Sequence, residues 1–420
     1  MRVRIVTMGS RGDAQPYVAL ARSFRDHGHE VRLAAHGRFA PLAAEHGLSF
    51  TPLAYEPLKA FERLFSPSGE GGVVDRWQRV LETLHGALVE WRQVAQGAEV
   101  LVTHPQIMSA PALAQHMGVP LVQAHTLPVV CPTSAYPCCY LFSKDLGRVL
   151  NRFSYRLIPA ALTPLRQEVE RWSRRELGLS VPWRASGAEA GPGGVPVQHL
   201  HGHSPTVLPR PPEWPSHWQA TGYWTVPPGA AWAPDPELVR FLDAGDPPVY
   251  VGFGSMVYRG DRPRLTRALV EPFRRRGVRV VLVRGWALSP EGLENDDGIH
   301  FIDAYEGPWH DWLLPRTRAA VHHGGAGTVG AVLRAGRPQG CIPFAMDQPF
   351  WARRVEALGV GPPLLAMRRF TAARWDTRVE ALLETDGYQE RADGVAAALS
   401  REDGPGTAVR MVEEMMARRG

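Results

Sequence analysis

At 420 residues the chain exceeds what one ordinary hydrophobic core supports, so two domains of roughly 200 residues are expected. With 44% hydrophobic and 21% charged residues it falls outside the disordered and fibrous classes, and no apolar run approaches the roughly 20 residues of a membrane span. The net charge of +5 comes from basic residues scattered among 42 acidic ones, with no cationic stripe interleaved with aromatics, which excludes a nucleic-acid partner.

The first strand, Val3 to Met8, runs into a glycine-bearing turn, and a helix is expected from Pro16 because Tyr17, Leu20, Ala21 and Phe24 share one face. Val31 to Ala35 is the next strand, which makes a parallel βαβ unit. Phe61 to Gln96 reads as helical after a loose loop at Ser66 to Gly72. Val100 to Thr103 and Pro120 to Ala124 read as strands around a helix at Ser109 to Met117, and Leu146 to Leu177 reads as helical. From Ser180 to Pro236 proline, glycine and tryptophan accumulate and no helical period survives, as expected of an interdomain connection. A second parallel set follows at Val249 to Phe253, Val278 to Val283, Ile299 to Ile302, Ala319 to His322 and Gly340 to Pro343. Asp393 to Arg419 closes the chain as a helical pattern. Two facing α/β domains with doubly wound parallel sheets and a cleft between them are therefore expected. The boundaries would be 1–205, a proline-rich linker at 206–236, 237–392, and a terminal helix at 393–420.

Two segments of the second domain carry the chemistry. In the run from His322 to Thr328, Gly324, Gly325 and Gly327 strip side chains from a strand-to-helix turn. Bare backbone N–H groups at a helix N-terminus make a seat for a phosphate, to which His322 and Thr328 can add side-chain donors. The same glycines would also suit close packing of helix on sheet. Downstream, Asp347 and Gln348 follow a strand end; Asp accepts from two hydroxyls and Gln both donates and accepts, which suits a sugar, while a helix N-cap ahead of Pro349 is the other reading. In the first domain Asp13 stands in the turn after the first strand, either as a base facing the cleft or as a cap of the helix at Pro16. The four cysteines, Cys131, Cys138, Cys139 and Cys341, show no metal-ligand spacing and read as reduced thiols.

These segments resemble the family 1 glycosyltransferases of GT-B fold, and most of all the sterol glucosyltransferase branch, which also runs HHGGAGT into DQPFW. Gly9 to Asp13 with Gln15 to Tyr17, Pro132 to Pro137, Ser204-Pro205, Gly252 to Ser255 and His310 to Leu313 match in order. The resemblance implies an inverting transfer of a hexose from a UDP- or dTDP-sugar to a hydroxyl of a lipophilic acceptor. A bare-backbone diphosphate seat needs no metal or other cofactor, and with no apolar span or signal segment the chain is expected in the cytoplasm without stable membrane insertion. It implies Asp13 as general base, backed by Ser10, Gly9 and Gly12. The diphosphate clamp would be Gly254, Ser255, His322, Gly324, Gly325, Ala326, Gly327 and Thr328, with Asp347 and Gln348 on the sugar. Trp286, Trp309 and Pro308 are candidates to wall the nucleobase, or are core. Acceptor recognition falls to the segment His125 to Phe142, with Pro132, Thr133 and Tyr136 named, and with His125 either a polar contact or a core residue. His323 is a ligand or a packed neighbour of the turn. The terminal helix is implied to cross back to the first domain. A sugar-nucleotide epimerase of the same fold and a catalytically silent activator of another transferase are the alternative functions.

Overall fold

The computed structural model describes residues 1–56, 73–179, 197–229, 232–303 and 310–418. Twelve strands form two parallel sheets among the described residues. The first sheet holds β1 (Arg2–Val6), β2 (Glu30–His36), β3 (Ser49–Leu53), β4 (Val100–Thr103), β5 (Leu121–His125), β6 (Gln198–His201) and β7 (Trp218–Ala220), in the order β3-β2-β1-β4-β5-β6-β7. The second holds β8 (Val249–Gly252), β9 (Val280–Arg284), β10 (Ile299–Asp303), β11 (Ala319–His322) and β12 (Gln339–Cys341), in the order β10-β9-β8-β11-β12. Each order reverses beside the first strand of its domain, which opens a crevice at the carboxyl ends of β1 and β4 in one sheet and of β8 and β11 in the other.

Runs such as Val-Leu-Val-Thr in β4 and Val-Tyr-Val-Gly in β8 are buried along their whole length because helices cover both faces. In the first domain the helix Val73–Ala95 lays Leu84, Leu88 and Trp91 on one face, and the helix Arg11–Asp26 lays Tyr17, Leu20 and Phe24 on the other. Leu269, Phe273 and Trp375 cover one face of the second sheet, and Leu238, Phe241 and Leu313 the other.

Several expectations shift. β3, β6 and β7 are additional strands, and β6 and β7 lie inside the proline-rich stretch, so much of that stretch completes the first sheet. Leu146 to Leu177 is broken into Arg148–Ser154, Leu157–Ala161 and Thr163–Leu177. The end of the chain forms two helices, Tyr388–Leu399 and Gly404–Ala417. The second packs Ala408, Val409 and Val412 onto the helix Arg11–Asp26, and Glu413 meets His29 at 2.9 Å, so the chain does cross back. Glu402 accepts from Ser204 at 2.6 Å and Thr206 at 2.9 Å. Between the domains Tyr136, Trp214, Phe350 and Trp351 share one buried cluster, and Arg354 donates to the Val207 carbonyl at 2.8 Å. The loop expected at Ser66 to Gly72, the start of the helix expected from Phe61, and residues 304–309 fall outside the described residues.

Candidate active site

After β1 the chain turns into a helix that begins at Arg11, five residues before Pro16, which lies inside it. Ser10 is the N-cap in extended conformation, and its N–H and hydroxyl both donate to Asp13 Oδ2, at 2.8 and 2.9 Å. Asp13 is thus the third residue of the helix, closing a capping box with Ser10, rather than the cap of a later helix. Gly9 has φ +110°, and a Cβ there would sit 2.5 Å from Asp13 Oδ2. The turn folds over the carboxylate only because position 9 carries no side chain.

Sequence reasoning missed His104, the residue that follows β4. It is 4% exposed, and its Nε2 lies 3.8 Å from Asp13 Oδ1, too far for a direct hydrogen bond but close enough for their charges to interact. Its Nδ1 accepts the Gln106 N–H at 3.3 Å, which leaves the proton of the neutral ring on Nε2, facing the carboxylate. Burial lowers its pKa below the usual histidine value, against the pull of Asp13. The sequence signal was a histidine directly after a strand; only the adjacency of β1 and β4 brings it to Asp13.

In the second domain β11 delivers His322 and the glycine turn to the helix Ala326–Arg334, whose N-cap is Gly325. His322 is fully buried; Nδ1 accepts the Gly324 N–H at 3.0 Å and Nε2 meets Gln339 Oε1 at 2.9 Å. Both ring nitrogens are spent inside the domain, so His322 shapes the turn and does not offer the side-chain donor expected of it. Burial holds its pKa near about 4, and the ring is neutral at physiological pH. Gly324 has φ +84° and abuts the Gln348 carbonyl, and a Cβ at Gly325 would sit 2.4 Å from His323 Nε2. Close packing therefore explains two of the three glycines. The third, Gly327, faces open space. The N–H groups of Ala326, Gly327 and Thr328 have no intrahelical acceptor and carry the positive end of the helix dipole. Gly254, with φ +55°, and the exposed Ser255 form the turn after β8 beside this turn, where the His323 ring touches the Gly254 position.

Asp347 is the N-cap of the helix Gln348–Ala357 without capping it by its side chain. Burial raises its carboxyl to about 6, the charge of Asp13 adds to the rise, and the Ala326 N–H bonded to it works the other way. The charge of Asp13 thus bears on Asp347 from the opposite domain. Tyr140 is also raised, by burial first and then by Asp13 and Asp347 together. Met346, just before Asp347, is the one non-glycine residue with positive φ among the described residues, at 58°. Gln348 differs from expectation: it is 4% exposed, its Oε1 accepts from the N–H groups of Phe344 and Ala345, and its Nε2 reaches Met256 Sδ. It braces the loop that presents Asp347.

The acceptor segment runs from β5 across the cleft. His125 is fully buried, bonded to His199 at 2.9 Å and stacked on His201, so it is a core residue and not the polar contact offered as one reading. Thr133 and Ser134 donate to Glu213 at 2.7 and 2.8 Å, and Tyr136 packs edge-on against Phe350 of the other domain; these bonds shape the loop, with Pro132 half-buried on it. Downstream, Leu141, Phe142, Val149, Leu150, Phe153 and Leu157 stay exposed. Trp286 is 55% exposed, which removes the core reading for it; Pro308 and Trp309 lie outside the described residues.

Comparison with known proteins finds two family models and full-length likenesses. Residues 3–131 match the glycosyltransferase family 28 N-terminal domain, and residues 300–415 match the erythromycin biosynthesis protein CIII-like C-terminal domain. A sterol 3-beta-glucosyltransferase of Arabidopsis thaliana is 30% identical over 98% of the chain, which spans 65% of that relative's length. A glycosyltransferase of kitacinnamycin superposes with a TM-score of 0.71 at 18% identity, over 99% of this chain and 98% of that one. The spinosyn rhamnosyltransferase SpnG, solved with thymidine diphosphate, superposes at 0.64 and 19% identity, over 98% and 100%. No helix among the described residues is long and apolar enough to cross a membrane.

Proposed function

Since the chain joins a glycosyltransferase family 28 N-terminal domain to an EryCIII-like C-terminal domain in the GT-B fold, we propose that it is an inverting glycosyltransferase. It moves a hexose from a UDP- or dTDP-sugar to a hydroxyl of a lipophilic alcohol. The observation that carries the reading is the charge of Asp13 bearing on Asp347 from the opposite domain, beside a helix N-terminus whose Ala326 amide bonds Asp347 and whose Gly327 and Thr328 amides have no intrahelical acceptor.

The diphosphate lies on those amides, with Ser255 as an additional donor, and Asp347 accepts from hydroxyls of the sugar. The acceptor hydroxyl attacks the anomeric carbon from the face opposite the diphosphate, so an α-linked donor yields a β-glycoside. The new C–O bond forms as the anomeric carbon–phosphate oxygen bond breaks, the electron pair leaves with the diphosphate, and Asp13 takes the hydroxyl proton. As the leaving oxygen gains charge, fixed amide dipoles neutralise it without reorganising. The Ser10 donors on Oδ2 hold the carboxylate in place, and the His104 Nε2–H faces Oδ1 from 3.8 Å without bonding it, which makes His104 a positioning residue. The exposed apolar residues from Leu141 to Leu157 support a lipophilic acceptor, and the kinship with a sterol glucosyltransferase points the same way.

Incubation with UDP- and dTDP-hexoses and a panel of lipophilic alcohols, with products read by mass spectrometry and anomeric NMR, tests this. A β-glycoside formed only when acceptor is present is expected. Sugar epimerisation without acceptor, or an α-glycoside, contradicts it.

A further inference from the structure

A second cluster of reactive side chains lies in the first domain, away from the transfer chemistry. β5 and β6 run parallel in register, so His125 pairs with His201 at the carboxyl ends of the two strands. Their rings stack at 4.4 Å, and His201 is held on its other side by Trp214 at 4.7 Å. Cys131 descends onto them from the acceptor loop. All three are completely buried, and one ligand atom from each lies within 4.8 Å of the others. Cys131 Sγ lies 3.7 Å from His199 Nδ1.

The polar atoms there are poorly satisfied. Neither ring nitrogen of His201 has a hydrogen-bond partner among the described residues, nor does Nδ1 of His125. Buried polar groups are ordinarily bonded, and a fully buried imidazole with two idle nitrogens calls for a partner. Water can bridge such atoms, but it has no preference for the sulfur that joins them here. A cation that takes imidazole nitrogen and thiolate sulfur together meets the whole set.

We propose that His125, Cys131 and His201 bind one Zn²⁺-class transition-metal ion. Zinc bonds of about 2.0 Å to nitrogen and 2.3 Å to sulfur require the three ligand atoms to draw together by up to roughly 1.5 Å. The loop that carries Cys131 supplies that movement. Binding releases the thiol proton to solvent, and affinity rises with pH. The ion fastens the start of the acceptor loop to the sheet, a structural task separate from the sugar transfer. Nothing in the spacing of residues 125, 131 and 201 advertises the site; the strand register creates it.

The test is titration of the purified, reduced, full-length protein with Co²⁺, followed by displacement with Zn²⁺. One equivalent of Co²⁺ is expected to produce a thiolate-to-cobalt charge-transfer band with tetrahedral d–d bands, and Zn²⁺ abolishes them. Cys131→Ser removes the charge-transfer band, His201→Gln weakens binding by roughly 100-fold or more, and Cys341→Ala, in the other domain, leaves both unchanged. X-ray absorption of the zinc-loaded wild type, which needs no variant to fold, is expected to show one sulfur at about 2.3 Å. Absence of stoichiometric binding, a band that survives Cys131→Ser, or a zinc shell without sulfur overturns the proposal.

Discussion

Replacing Asp13 by Asn separates the chemical role of the carboxylate from its structural one. Oδ2 accepts two hydrogen bonds, from the N–H and hydroxyl of Ser10. An amide oxygen in the same place accepts both, so Asn keeps most of the cap, whose complete loss costs about 1 kcal/mol. What Asn cannot do is take a proton. General-base catalysis contributes roughly 100- to 10,000-fold, which at about 1.36 kcal/mol per tenfold corresponds to about 2.7–5.5 kcal/mol of barrier. Asp13→Asn is therefore expected to unfold within a few degrees of the wild type while kcat falls at least 100-fold, with the donor dissociation constant little changed. The assay is glycoside formation at saturating donor beside thermal unfolding and calorimetric titration with nucleoside diphosphate. A kcat within about threefold of wild type in a folded, donor-binding variant would refute the role of Asp13.

Gly9→Ala places a methyl group 2.5 Å from Asp13 Oδ2 at a φ of +110°; it should lower kcat by about 10-fold or more while donor affinity is kept, and unchanged turnover would show that the carboxylate need not be so tightly enclosed. Gly325→Ala pushes a Cβ to 2.4 Å from His323 Nε2 and tilts the amides; calorimetry should show donor binding weakened by about 10-fold or more, and wild-type affinity would argue against the turn as the seat. Asp347, raised to about 6 by burial and by Asp13, must be ionised to accept from two sugar hydroxyls. Donor kcat/KM should therefore rise with pH up to a limb near 6, and the limb should vanish in Asp347→Asn. The same raised pKa makes the folded state bind this proton more tightly than the unfolded chain, so the group's contribution to stability is fully present below the unfolded value of about 4 and is lost as pH rises through about 6. His104→Gln should lower kcat more than it alters KM and shift the pH profile of kcat, whereas a merely structural histidine would change stability and leave that profile in place.

The sequence made the double βα alternation legible because buried parallel strands are continuous apolar runs, and Val100 to Thr103 or Ala319 to His322 can be nothing else. The strands that escaped are those whose sequence carries no such run. Ser49–Leu53 contains a proline and Trp218–Ala220 is only three residues long, and both lie at sheet edges. The early start of the first helix was hidden by Gly12, read as turn, although Ser10 followed by Asp13 is a capping-box spacing. In the site the residue types were legible and their reach was not. His322 and Gln348 belong to the conspicuous segments yet spend their polar atoms inside the domain. His104 and the histidines of β6 sit in unremarked stretches and acquire neighbours only through strand pairing.

The central claim is that main-chain amides at one helix N-terminus carry the diphosphate. A crystal structure of the protein with bound nucleoside diphosphate measures this directly. Phosphate oxygens within hydrogen-bond distance of the N–H groups of Ala326, Gly327 and Thr328, with the nucleobase near Trp286, are predicted. Phosphates seated at the N-terminus of the helix Arg11–Asp26, or anywhere else in the first domain, would contradict the account.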